Sequence, residues 1–314
     1  ECQHRRQLPY EKANVVKGQI ICHLGPPKTA TTSMQIALNS INSSDFLFAG
    51  TFQPRDLNVG SLSHRLHEFC AEKVDFSRTD QIDLTREITE KVASGKTIFF
   101  LEEMFLVHQN HASIKEKINR LKEIFCSLPC RIVITVRNPR LALPSYYQEI
   151  FRSLPIGLQL DFSAFCRDQR AICYDYEELL KIINAAGFED VKLIDFDALS
   201  AGNLDLGEIL GKDEYTGTTL RIEKHNSGLI GSTPTTRNLS SVSLKNLGRL
   251  RFVQRAISIL RLRHWPGYRR CVALIDRIVL RKAQLHDLTV PSDVAERLDA
   301  GYQGMRRKIL GRDV

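Results

Sequence analysis

One stretch, Ile20 to Ser33 (IICHLGPPKTATTS), limits what this chain can fold into more than any other. Ile20, Ile21, Cys22 and Leu24 form an apolar run suited to a buried strand. Gly25, Pro26 and Pro27 make a tight turn. Lys28 follows, and Thr29, Thr31 and Thr32 open a helix expected over Thr31–Asn39. A strand that turns sharply into a helix N-terminus aims backbone N–H groups and the positive end of the helix dipole at one place. Such a place suits a phosphate or a sulfate. Lys28 adds a full positive charge, and the three hydroxyls add donors.

The spacing differs from the common nucleotide loop, Gly-x-x-x-x-Gly-Lys-Ser/Thr. Here the lysine comes three residues after Gly25, and Ala30 stands where a second glycine would be. A second constellation lies far along the chain. The strand RIVITV, residues 131–136, runs directly into Arg137, and Ser145 follows eight residues later on the next helix. A guanidinium fork and a hydroxyl brought together in this way can hold a phosphate through charge-assisted hydrogen bonds.

The rest of the first 200 residues alternates strand and helix. Helices are expected over Asp83–Ser94, Ser113–Cys126 and Asp175–Ala186, and strands over TIFFL (97–101) and Val191–Phe196. This alternation implies an α/β fold, a three-layer sandwich with a central parallel sheet covered on both faces. In such sheets the carboxyl ends of the strands carry the chemistry. Glu102 and Glu103 end the TIFFL strand there. Residues 42–81 read as an irregular loop containing His64 and His67. The whole chain reads as one domain: a lead-in (1–18), an α/β core (19–225), a Ser/Thr-rich flexible loop (226–243) and a helical C-terminal part (244–314). Within the last part, 244–263 reads as a basic amphipathic helix packed on the domain, and 292–310 as the final helix.

A formal net charge of +8 favours an anionic ligand or partner without choosing one. The eight cysteines include no Cys-x-x-Cys pair or zinc-spaced cluster, and a chain of this length can build a core without disulfides. No apolar run approaches the ~20 residues of a membrane span. The compartment is read as cytoplasmic, or as the secretory lumen if an N-terminal anchor was removed. Only in the lumen would the sequons at Asn42 and Asn238 matter.

P-K-T-A-T-T-S resembles the 5′-phosphosulfate loop of sulfotransferases that use PAPS (3′-phosphoadenosine 5′-phosphosulfate). The longer string H-L-G-P-P-K-T-A-T-T-S-M-Q is most similar to the bacterial branch of that family, and Arg137 with Ser145 resembles its 3′-phosphate motif. The resemblance covers roughly residues 19–196 in pattern. It implies a P-loop-like fold and transfer of a sulfuryl group from PAPS to an acceptor hydroxyl or amine, releasing PAP (3′,5′-diphosphoadenosine). It assigns the donor to Gly25, Pro27, Lys28, Thr29, Ala30, Thr31, Thr32, Arg137 and Ser145, with Lys28 stabilising the leaving phosphate. The general base it implies is Glu103, with Glu102 and His64 next. Leu101 stands where the relatives often carry the serine of Ser-x-Glu. His225-Asn226-Ser227 would belong to a loop closing over the nucleotide. The acceptor is expected to be a carbohydrate, with no metal, no nucleic-acid partner and no integral membrane segment. A nucleotide kinase or NTPase, and a PAP-binding module without activity, remain open, as does the oligomeric state.

Overall fold

The computed structural model describes residues 18–41, 43–50, 58–71, 77–109, 112–201, 203–211, 219–221 and 288–311. In chain order the elements are β1 (Gln19–His23), α1 (Thr31–Asn39), β2 (Phe46–Gly50), α2 (Leu62–Cys70), α3 (Arg78–Ala93), β3 (Thr97–Leu101), α4 (Ile114–Phe125), β4 (Cys130–Val136), α5 (Pro139–Ile150), α6 (Ile156–Leu160), α7 (Phe162–Arg167), α8 (Tyr176–Ala185), β5 (Asp190–Asp195), α9 (Phe196–Ser200), β6 (Asn203–Asp205), α10 (Leu206–Leu210), β7 (Thr219–Arg221) and α11 (Ser292–Ile309). Short 3₁₀ turns lie at Glu103–Phe105, Phe151–Ser153 and Gln169–Tyr174.

β1 to β5 form one sheet in the order β2-β3-β1-β4-β5. Every pairing in it is parallel. Side chains alternate across the pleat. Ile20, Cys22, Ile98, Phe100, Ile132 and Ile134 therefore enter one core, which also receives apolar residues of α2, α3, α4, α5, α8 and α11. Ile21, Phe99, Leu101 and Val133 enter the other, against Met34, Ala37 and Leu38 of α1 and Leu206, Ile209 and Leu210 of α10. This is the expected α/β sandwich of three layers.

Local signals explain the helix starts. Ser77 with Asp80 and Ser113 with Glu116 form reciprocal capping boxes at the starts of α3 and α4. Asn138 accepts from the Arg140 amide, with Pro139 at the first position of α5. The Ser77 box also corrects one expected boundary: α3 begins at Arg78, not Asp83.

Two further expectations need correction. Residues 42–81 are not an irregular loop throughout: they carry β2, α2 and the start of α3. FLFAG is short and unalternating, so it becomes a strand only through its parallel pairing with β3. The sheet therefore has five strands, where the sequence suggested four. In α1, Met34, Ala37 and Leu38 are buried and Ile36 is exposed. The antiparallel pair β6–β7 was not foreseen. The lead-in up to residue 17, the loop 226–243, His225-Asn226-Ser227, the basic helix 244–263 and both sequon asparagines lie outside the described residues. Among the described residues no helix is long and apolar enough to cross a membrane.

The turn after β3 is held from below by Lys117 of α4, which is fully buried. Its ammonium donates to the carbonyls of Met104 (2.8 Å) and Val107 (2.7 Å). Burial pulls its pKa down to about 8, against the opposing influence of neighbours that include Glu102. The unfolded chain binds this proton more tightly. Lys117 therefore makes stability rise with pH between about 8 and the ordinary lysine value near 10.5. Lys117→Met should cost about 1–3 kcal/mol at pH 7 and flatten that rise, as read by urea denaturation at pH 7 and pH 10.

Candidate functional site

Because β1, β3, β4 and β5 run parallel, their carboxyl ends share one edge of the sheet. There β1 leads into residues 24–30, β3 into Glu102 and Glu103, β4 into Arg137 and β5 into Phe196. β1 sits centrally between β3 and β4, and the chain passes to opposite sides of it. An open α/β sheet has its ligand crevice at such a switch point.

The 24–30 loop has an unusual backbone. Lys28 and Ala30 adopt left-handed conformations, with φ of 68° and 61°. For non-glycine residues this costs roughly 1–2 kcal/mol each. Ala30 is the N-cap of α1 and offers no side-chain cap. The first intrahelical bond runs from the Met34 amide to the Ala30 carbonyl (3.0 Å). The amides of Thr31, Thr32 and Ser33 therefore precede the helical ladder, where an anion can receive them.

The surrounding structure holds this backbone in place. Tyr174 donates its hydroxyl hydrogen to the Pro27 carbonyl. Thr29, fully buried, donates to the Pro26 carbonyl (2.6 Å). Arg137 donates through Nη1 to the Lys28 carbonyl. Arg137 of the second constellation thus meets the loop of the first. Arg137 is itself fixed. Its guanidinium carbon lies 4.4 Å from the centroid of the Phe196 ring, a cation–π contact. The Tyr176 hydroxyl accepts from the Arg137 amide and donates to the Arg137 carbonyl, both at 2.8 Å.

Two carboxylates flank the loop. Glu103 Oε2 accepts from the Thr31 hydroxyl at 3.3 Å. Glu149 Oε2 lies 3.4 Å from Lys28 Nζ. Ser145 is four residues before Glu149, so both project from one face of α5.

The other expected residues are placed less directly. Glu102 is buried and accepts from the Met104 amide (2.9 Å), which ties it to the turn. His64 lies on α2, where its Nδ1 is 3.4 Å from Glu68. Among the described residues this is its side-chain ion-pair partner, and no hydrogen bond or ion pair joins it to the loop. Two of the threonine hydroxyls already donate within the protein, Thr29 to Pro26 and Thr31 to Glu103.

His23 ends β1 beneath the loop, fully buried, with Nε2 2.8 Å from the Thr135 hydroxyl. Burial lowers its pKa to about 3, so the ring is neutral at physiological pH. Its Nδ1 has no hydrogen-bond partner among the described residues. A Cβ on Gly25 would lie 2.3 Å from His23 Cε1 and 2.9 Å from Thr29 Oγ1. Gly25 is therefore required by the ring under it, not by a left-handed turn.

Sequence reasoning missed His23, Glu149, Tyr174, Tyr176 and Phe196. Phe196 alone carried a signal, as the last residue of an expected strand. His23 is next to the loop in sequence, but the place of its ring under Gly25, like the reach of Glu149, Tyr174 and Tyr176, comes from tertiary packing.

Gly25→Ala should force the loop and the His23 ring apart, lowering stability by about 1–3 kcal/mol. His23→Ala in the same chain should recover part of that loss, as read by thermal unfolding of the two single variants and the double. Lowering the pH from about 6.5 towards 3 should erode stability, because the unfolded chain binds a proton that folded His23 refuses. Imidazole NMR shifts should show the native ring still neutral at pH 5. No protein-family model matches this chain, and no curated protein matches it.

Proposed function

We propose that the 24–30 loop and the residues around it form a P-loop-like donor site, and that the protein transfers a sulfuryl group from PAPS to an acceptor hydroxyl or amine. The observation that carries this reading is the contact of Arg137 with the Lys28 carbonyl. Two anion-binding elements from distant parts of the chain converge on one strained loop, as a ligand with phosphates at both ends of a nucleoside would require.

The chemistry follows from the residues. The acceptor oxygen attacks sulfur in line, and the bond from sulfur to the bridging oxygen of the 5′-phosphosulfate breaks. Charge grows on that oxygen, where Lys28 and the first amides of α1 stabilise it. Arg137 and Ser145 hold the 3′-phosphate, so remote binding energy orients the donor. Glu103 takes the acceptor proton. Its position beside Thr31 supports it over Glu102, which is buried in the turn, and over His64, which pairs with Glu68. PAP then leaves. A carbohydrate acceptor rests on the family resemblance alone.

The test is thermal unfolding with PAP and, separately, with ATP plus Mg²⁺. A ligand that binds only the folded state raises the Tm by mass action. PAP should give the larger shift, and Arg137→Ala should weaken PAP by roughly ten- to a hundredfold, as expected for one lost charge-assisted contact. A larger shift with ATP and Mg²⁺ would replace this reading with a nucleotide kinase or NTPase. PAP binding without turnover on any acceptor would make the chain a binding module.

A further inference from the structure

The ion pair between Lys28 and Glu149 sets a problem for any anionic ligand in the loop. Both side chains are partly exposed, at 35% and 46%. A donor that recruits Lys28 strips Glu149 of its cation and leaves a carboxylate beside a highly charged ligand. Like charges that close repel, unless the carboxylate finds another partner.

A second partner stands one turn away. Tyr146 lies three residues before Glu149 on α5, one turn away, with its ring buried where Glu149 stays partly exposed. The ring is buried between Phe165 (centroids 6.0 Å apart) and Tyr174 (5.9 Å), and Tyr174 itself holds Pro27 of the loop. The Tyr146 hydroxyl is buried and has no hydrogen-bond partner among the described residues. A buried hydroxyl without a partner is unfavourable, a penalty that a new acceptor would relieve. Its electrostatic neighbours include Glu149, Glu103 and Arg170.

We propose a handover at this site: donor binding moves Lys28 from Glu149 to the donor's phosphate, and the released Glu149 carboxylate accepts a hydrogen bond from Tyr146. Glu149 then sets donor affinity by competing for Lys28, and Tyr146 offsets the competition in the loaded state. The proposal rests on the donor-site reading above and adds two positioning residues to it. An O–H to carboxylate bond is charge-assisted and stronger than a neutral one, which makes the exchange feasible.

The experiment is a double-mutant cycle on PAP affinity, measured by calorimetry on the full chain. Glu149→Gln should tighten PAP by about three- to tenfold, the scale of a partly exposed ion pair plus a removed repulsion. Tyr146→Phe should weaken PAP by about three- to tenfold in the wild-type background and by less than about twofold in the Glu149→Gln background. Lys28→Met should abolish the gain from Glu149→Gln. Tyr146→Phe removes only an unsatisfied hydroxyl, and Glu149 is half-exposed, so both variants should fold. A Glu149→Gln variant that binds no tighter than wild type, or an equal Tyr146→Phe loss in both backgrounds, overturns the handover and leaves the donor site standing. Wild-type protein that does not bind PAP overturns both.

Discussion

The hydrogen bond from the Arg137 guanidinium to the Lys28 carbonyl joins the two halves of the sheet edge. Lys28 and Ala30 hold backbone conformations that cost energy for any residue with a Cβ. A loop of this kind persists only when its neighbours over-determine it. Tyr174 fixes Pro27, Thr29 fixes Pro26 and Arg137 fixes Lys28, so three successive carbonyls are restrained from three directions. The result is a preorganised set of amides at the start of α1, whose ordering entropy is already spent before any ligand arrives.

Arg137 can serve as a strut because it is supported in turn. Tyr176 grips both its amide and its carbonyl, and Phe196 lies against its guanidinium. These supports connect to the C-terminal helix. α11 packs on α5, α8 and β5, burying Val294, Ala295, Leu298, Tyr302 and Met305. Arg306 reaches Asp195, the residue before Phe196, at 3.2 Å, and Asp175, the residue before Tyr176, receives Arg297. In both pairs the arginine is partly or well exposed while the carboxylate is largely buried, so each arginine supplies the countercharge that its aspartate needs and fixes the register of α11. They seat α11 directly behind the two aromatic residues that hold Arg137.

The group beneath the loop is polar but uncharged. His23 sits where a charged imidazole would oppose Lys28 and Arg137, and burial keeps it uncharged. The positive charge of the site is thereby confined to side chains at the sheet edge and to the amides of α1, within reach of an incoming anion. Under β3 the Lys117 ammonium fastens the turn that presents Glu103.

Much of this was legible in the residues themselves. Apolar runs bounded by turns placed β1, β3, β4 and β5. Four-residue spacing of Leu84, Ile88 and Val92 marked α3, and the alternation of types required a parallel sheet with its chemistry at one edge. Arg137 and Glu103 could be named because each follows a strand end, and Lys28 because it lies in the turn between a strand and a helix. β2 could not be named, because FLFAG has no period of its own and is a strand only beside β3. Nor could Glu149, Tyr174, Tyr176 or His23 be assigned, since their roles depend on which distant atom they touch. Sequence alone therefore determined β1, β3, β4 and β5, most of the helices between them and the edge where the charged groups gather, because periodicity and strand ends are local properties. Only the tertiary structure decided that Arg137 braces the Lys28 carbonyl, that Lys28 faces Glu149 and that Gly25 is dictated by the His23 ring, because contacts between distant segments are set by packing.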